Sequence, residues 1–272
     1  MTPAGIRATS TAAPWRPARL GHWGLIARLR QQRHRISPLL RCVAFDAKLC
    51  KLDWLHVMDL GVACDWLGQF FVFLVPKYPG ASIDARISAL WRHIQALYAM
   101  YPPRARLDNF TRKMLSWDRA SYKLRTYGSE THSLIPIGRH LAQQQLSDAD
   151  GVEHTVKQAM LELSACYDAL SSRAAPGALA EHSRRFCGLH VALETHVPDI
   201  FYVKPKMHQM QELCEMVENA EPAKHWDFRE EEFGGSVVAL GKRHGGQNTP
   251  GATGKQTLDR FCARHQVPDL SP

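Results

Sequence analysis

Apolar side chains recur at helical spacing through most of the chain, so the sequence predicts a mainly helical protein. The clearest pattern covers residues 82–101, where Ser82 can cap the first turn and two prolines follow the last. Two further amphipathic patterns predict helices over residues 152–170 and 179–196. A shorter pattern predicts a helix over residues 207–217.

Weaker patterns fill the remaining segments. In chain order they predict a basic helix over residues 21–43 interrupted at Pro38, a short strand over 45–55, an apolar helix over 59–75, a short helix over 107–117, a loop over 127–136, an extended piece over 200–203 and a last short helix over 255–265. The first 20 residues and the segment after Gly245 are rich in residues that oppose regular structure, and we expect both to be flexible.

Composition agrees with a folded body between two flexible ends. A hydrophobic content of 45% over 272 residues is enough to bury a core. We therefore expect a basic arm over residues 1–43, one domain over 44–243 and a tail over 244–272.

Positive charge is concentrated in the arm. The first 41 residues hold eight arginines and no acidic residue, and the remaining 26 basic residues are matched by 26 acidic ones. The net charge of +8 therefore belongs to the arm. Three interpretations fit: contacts to DNA phosphates, a solvated leader without a role, or a transit peptide for an organelle. The candidate DNA contacts in the arm are Arg28, Arg30, Arg33 and Arg35.

Several chemistries lack their sequence patterns. Seven widely spaced cysteines without a CxxC pair indicate reduced thiols in a protein of the nucleus or cytoplasm. The most apolar run, residues 67–76, is shorter than the roughly 20 residues of a membrane helix, so no membrane partner is expected. No standard zinc spacing and no phosphate-binding P-loop motif occurs.

Three short clusters carry residue types suited to chemistry. The first runs from Asp53 through His56 to Asp59-Leu60-Gly61, directly ahead of an apolar helix. A carboxylate in this position can hold Mg²⁺. The alternative is a helix start at which Asp59 caps and Asp53 favours the dipole, and spacing alone favours this alternative.

The other two clusters lie near the C-terminal end. Lys204 and Lys206 flank Pro205, which is typical of a helix start and could also place basic groups at a DNA phosphate. Residues 226–235 contain Glu230, Glu231 and Glu232, which could favour a helix dipole or supply one carboxylate to a metal.

Taken in order, the clusters resemble the transposase domain of CACTA-type and related DNA transposons. The motifs are Asp-x-x-His followed by Asp-Leu-Gly, then Pro-Lys-x-His, then Trp-x-Phe-x-x-Glu-x-Phe-x-Gly. They are most similar to the divergent transposase-like proteins of dinoflagellates, and the resemblance covers about residues 45–243.

The resemblance implies a mostly α, α+β fold in which a helical insertion, about residues 82–197, is attached to a partial RNase H-like core. It also implies a carboxylate site for two Mg²⁺ ions. By position Asp53 matches the second aspartate of that site, with His56 beside it, and Glu231 matches the glutamate. We therefore expect Asp53 and Glu231 to lie near each other.

The sequence departs from the family at the first aspartate, which should lie on a strand well upstream of Asp53. The 52 residues before Asp53 hold one acid, Asp46, and it is too close to serve. We therefore expect a truncated, inactive transposase-derived protein without a cofactor, in which non-specific DNA binding remains. Two alternatives stay open: an active Mg²⁺-dependent transposase or nuclease, and a helical interaction module with a basic leader.

Overall fold

The computed structural model describes residues 21–33, 35–41, 52–103, 105–117, 121–171 and 177–215. The chain divides into two compact units, 1–225 and 226–272, and all described residues belong to the first. Within the described ranges the regular structure is helical and no strand occurs, so the prediction of a mostly helical protein is confirmed.

Seven α-helices follow one another in the described ranges. They are α1 (His22–Gln31), α2 (Ala63–Leu74), α3 (Ile83–Leu97), α4 (Gly128–Gln145), α5 (Gly151–Ser171), α6 (Ala178–His196) and α7 (Lys206–Glu215). A π-helical segment, Leu55–Val62, runs directly into α2, and a 3-10 turn, Val75–Lys77, ends it. A second 3-10 turn covers Pro38–Arg41.

The π-helical segment and α2 form the centre of the body. Helices α4 to α7 pack each on the next in chain order, and the π-helical segment contacts both α4 and α7. Every residue of α2 except Phe73 is buried. The continuous helix Leu55–Lys77 is long and apolar enough to cross a membrane, but 89% of its most apolar window is buried inside the protein. That burial accounts for its apolar character.

Trp66 on α2 lies at the middle of the core. Its side chain is fully buried and its indole N–H donates to the sulfur of Met160 on α5 at 3.2 Å. The rings of Phe186 and His190 on α6 meet it edge-on, with centroids 5.3 and 5.2 Å away. Burying an aromatic side chain of this kind contributes roughly 2–3 kcal/mol, so this cluster holds α5 and α6 against α2.

A buried polar contact ties the segment after α6 to α2. The Gln69 side chain accepts from the backbone N–H of Tyr202 at 3.3 Å and donates to the Tyr202 carbonyl at 3.2 Å. His190 Nε2 lies 2.9 Å from the same Gln69 oxygen, so this nitrogen donates. Burial lowers the pKa of His190 to about 4, which keeps the ring neutral at pH 7. Gln69 thereby fixes the chain two residues ahead of Lys204.

The strongest sequence patterns predicted helices correctly. The patterns over residues 82–101, 152–170 and 179–196 correspond to α3, α5 and α6, and the Ser82 hydroxyl caps α3 by accepting from the Ala85 N–H. The pattern over 207–217 corresponds to α7, of which residues beyond 215 lie outside the described ranges.

Other boundaries differ from the prediction. The basic helix ends at Gln31, well before Pro38, and the apolar helix begins at Trp54 rather than at residue 59. Of the strand predicted over 45–55, residues 45–51 lie outside the described ranges and residues 54–55 are helical. The helix predicted over 255–265 also lies outside.

Two local predictions are wrong. Residues 107–117 form turns instead of a helix, and residues 128–136 belong to α4 instead of a loop. Pro136 lies inside α4. The apolar side chains of Leu134, Ile135 and Ile137 are buried around it, and this packing outweighs the unfavourable local signal of the proline.

The close approach of α2 to residues 123–124 predicts that Gly68→Ala destabilises the protein. A Cβ at Gly68 would lie 2.6 Å from both the Leu124 nitrogen and the Lys123 Cα, so two backbones would have to separate. We expect a loss of about 1–3 kcal/mol in the free energy of unfolding, measured by denaturant titration. Gly188→Ala on α6 is the matched control, because nothing lies within 4 Å of its added Cβ. The control should gain up to about 1 kcal/mol from helix propensity, and equal effects of the two changes would contradict the packing argument.

Candidate functional site

Asp53 starts the central helix. Its carboxylate accepts from the backbone N–H of Leu55 at 3.2 Å and of His56 at 2.8 Å, and the His56 Nδ1 lies 2.5 Å from Oδ2. These are the contacts of an N-cap residue, which satisfy N–H groups that have no partner within the helix. The first cluster is a helix start, but Asp53 is its cap; the expectation that Asp59 caps is wrong, because Asp59 lies inside the helix.

The first and second sequence clusters lie against each other. Lys206, the first residue of α7, donates from its ammonium to the His56 carbonyl at 2.7 Å. Its aliphatic stem passes so close to Gly61 that a Cβ there would lie 2.6 Å from Lys206 Cδ. The His56 carbonyl oxygen would lie 2.9 Å from the same Cβ, so the glycine of Asp-Leu-Gly leaves space both for its own helix and for the lysine of Pro-Lys-x-His.

Two further lysines reach the same helix. Lys123 donates to the Leu60 carbonyl at 3.0 Å. Lys204 forms an ion pair with Asp65 at 2.7 Å, and its ammonium also lies 5.3 Å from the ring centroid of Tyr202. Burial lowers the pKa of Lys206, and the positive charge of Lys123 lowers it further. Lys123, Lys204 and Lys206 thus converge on one side of the helix between His56 and Asp65, and we call this side the lysine face.

The side chain of Asp59 points away from the lysine face and into the buried interior. Its Oδ1 accepts from the hydroxyl of Tyr167 on α5 at 2.8 Å, and His132 Nδ1 on α4 lies 3.5 Å from the same oxygen. The side chain is fully buried, and no hydrogen-bond partner for Oδ2 occurs among the described residues. Burial raises the pKa of Asp59, although the contacts with His132 and Tyr167 oppose the rise.

Sequence reasoning did not identify this buried cluster. Tyr167 is separated from Asp59 by 108 residues and was expected to be an ordinary member of the apolar face of its helix. His132 fell in the segment predicted to be a loop. The signal that could have found the cluster is the acid itself, because Asp59 lies one helical turn from Leu55 in a run whose other residues are nearly all apolar.

The predicted magnesium ligands can be placed only in part. Asp53 and His56 lie side by side as described, whereas Glu231 and its neighbours Glu230 and Glu232 lie outside the described residues. The expected proximity of Asp53 and Glu231 stays a prediction. In the described ranges no group of three His, Cys, Asp or Glu side chains could hold a metal ion.

The candidate DNA-contacting residues occupy two places. Arg28 and Arg30 lie in the last turn of α1, and Arg33 and Arg35 follow it; all four are exposed. Cationic side chains at a helix C-terminus also favour the helix dipole, which is a structural role for the first two. The two candidate lysines, Lys204 and Lys206, are half-buried on the lysine face.

Comparison with known protein families, with curated proteins and with solved structures found no match.

The burial of Asp59 predicts a pH-dependent stability. Its folded-state pKa lies above the ordinary value of 3.8, so the folded protein binds this proton more tightly than the unfolded chain. The contribution to stability is present below the unfolded pKa and is lost as pH rises through the folded pKa. The free energy of unfolding of the wild type, relative to Asp59→Asn, should therefore fall as pH rises from about 4 towards neutrality.

Denaturant titrations of the two proteins across that pH range provide the measurement. Tyr167→Phe is the matched variant: it removes the hydroxyl that lowers the pKa of Asp59, so the fall should move to higher pH. A difference between wild type and Asp59→Asn that does not vary with pH would contradict the assignment.

Proposed function

We propose that this chain is a transposase-derived protein that binds DNA through phosphate contacts and does not cut it. The proposal includes an RNase H-like core with α3 to α6 as its helical insertion. The observation that carries it is the packing of two motifs that are 150 positions apart in the chain, through the Lys206 contact with the His56 carbonyl. Short motifs that meet by chance in sequence have no reason to meet in space.

The fit between Gly61 and Lys206 supports the same interpretation. The Asp-Leu-Gly and Pro-Lys-x-His motifs are complementary at one point, because Gly61 leaves the room that the Lys206 stem occupies. The absence of a side chain at Gly61 in one motif is thus matched to the side chain of Lys206 in the other. This complementarity favours a common structural unit over an unrelated helical module with a basic leader.

Positive charge supports DNA as the partner. Arg28, Arg30, Arg33 and Arg35 are exposed, in an arm whose first 41 residues hold no acid. Phosphate contacts of this kind bind any sequence, because they release counterions and do not touch base edges. The lysine face adds half-buried ammonium groups beside the motif residues His56 and Gly61.

The proposal of an inert protein rests on the surroundings of Asp53. Both carboxylate oxygens accept hydrogen bonds from the helix start, and His56 holds one of them. Two-metal phosphoryl transfer needs a carboxylate that bridges both ions. An aspartate that caps a helix in this way is suited to holding the fold.

DNA binding should be salt-sensitive and independent of sequence. If six to eight arginines contact phosphates, affinity should fall by about 10³ or more between 50 and 200 mM salt. Fluorescence anisotropy with labelled duplexes of two unrelated sequences measures this. Deleting residues 1–41, with their eight arginines, should remove most of the salt dependence. An unchanged dependence after the deletion would place the contacts on the helical body, and no binding at all would contradict the proposal.

The purified chain should neither nick nor join DNA in Mg²⁺ or Mn²⁺. A strand-transfer and nicking assay on supercoiled plasmid provides the test. Asp53→Asn is the control of choice, because an asparagine still caps a helix and lacks the charge that a metal needs. Metal-dependent nicking by the wild type that disappears in Asp53→Asn would show an active enzyme and overturn the inert interpretation.

A further inference from the structure

Lys123 and Lys206 come from distant parts of the chain and approach the π-helical segment on one side. Their ammonium groups bind the carbonyls of Leu60 and His56, which are one helical turn apart. Residues i and i+4 of a helix share a face, and the positive charge of Lys123 acts on Lys206 strongly enough to lower its pKa. The two positive charges are therefore held close together on the lysine face.

Backbone contacts hold both lysines in place. Lys123 precedes Leu124, whose N–H donates to the Cys64 carbonyl at 2.9 Å, and its own Cα rests against Gly68. Lys206 begins α7, four residues after Tyr202, whose backbone Gln69 fixes. The backbone next to each lysine is therefore hydrogen-bonded to α2, at Leu124 for Lys123 and at Tyr202 for Lys206. This anchoring keeps the two lysines on the same side of the helix.

The positive charges of this pair are only partly offset within the described part of the protein, by Asp65, which acts on Lys206 from beyond ion-pair distance. Each ammonium has a backbone carbonyl as its acceptor, and no carboxylate of the described residues lies within ion-pair distance of either. The adjacent carboxylate, Asp65, is paired with Lys204. Holding two like charges together costs free energy, and an anion between them would remove that cost.

We propose that Lys123 and Lys206 form a clamp for one phosphate group. Under the function proposed above, on which this step rests, that group is a phosphodiester of bound DNA. An ammonium group has three N–H donors and each lysine uses one on a carbonyl, so two from each side can donate to phosphate oxygens. Both side chains are half-buried, where the local dielectric constant is lower than in water and the attraction is stronger.

The test replaces both lysines by glutamine in the full-length chain. Glutamine removes the charge and keeps an N–H₂ group that can reach towards the carbonyl, so the helix contact is least disturbed. Because the two lysines contact one phosphate, the slope of log affinity against log salt for a DNA duplex should decrease by about 0.9 in total in the double variant, with roughly tenfold weaker binding at about 0.1 M salt. Lys123→Arg/Lys206→Arg, which keeps both charges, should restore most of the affinity.

Lys157→Gln is the matched control. It removes one charge of the same kind from a lysine that is paired with Asp148 at 2.8 Å, and it should leave the slope unchanged. Melting curves of all variants show whether they fold. A double glutamine variant that folds and keeps the wild-type slope would overturn the clamp, while loss of binding on arm deletion alone would leave the proposed function standing.

Inorganic phosphate separates the clamp from DNA binding. At matched ionic strength, phosphate should raise the melting temperature of the wild type more than that of the double glutamine variant, because a ligand of the folded state stabilises it. If this difference appears and no DNA is bound, the clamp holds phosphate and the proposed function is wrong. Equal shifts in both proteins would overturn the clamp.

Discussion

The burial of one continuous helix, Leu55–Val62 running into α2, is the constraint on which the described structure depends. Helices α4 and α7, which are distant in the chain, meet this helix on its π-helical part, and α5 and α6 pack around Trp66. A helix that is hydrophobic on all sides is a buried helix, and here the surrounding helices cover its apolar residues. Lys123 and Lys206 reach its carbonyls because the packing of the core places their segments beside this helix.

Buried polar groups on this helix hydrogen-bond to distant segments of the chain and so fix how the helices pack. Gln69 binds both backbone groups of Tyr202, and Asp59 binds Tyr167, each across a large separation in sequence. A buried polar group without a partner costs free energy, so each of these hydrogen bonds disfavours packings of the helices in which it is broken. One oxygen of Asp59 accepts a hydrogen bond, and the other has none among the described residues. Burial of the carboxyl raises its pKa.

Sequence patterns predicted the helices whose apolar stripe and end signals agree. Ser82 with its following stripe specified α3, and the stripes of α5 and α6 were equally clear. The first half of helix α4 was predicted to be a loop because Gly128 and Pro136 are typical of loops, whereas the packing that stabilises this helix is tertiary. For the site, local patterns indicated a helix start near Asp53 and another at Lys206, but the contact between them through the His56 carbonyl was not predicted. Lys123 carried no sequence signal, because its role comes from a long-range contact with Leu60.

The π-helical geometry links the fold of this helix to its charges. A π-helix is rare, and here it extends over eight residues, from Leu55 to Val62, where it carries Asp59 into the interior and leaves the His56 and Leu60 carbonyls to the lysines. Each ammonium contact favours this arrangement of the backbone, and their mutual repulsion opposes it. An anion that binds both lysines removes the repulsion and keeps the contacts. Phosphate binding on the lysine face would therefore also stabilise the helix that positions Asp53 and Asp59.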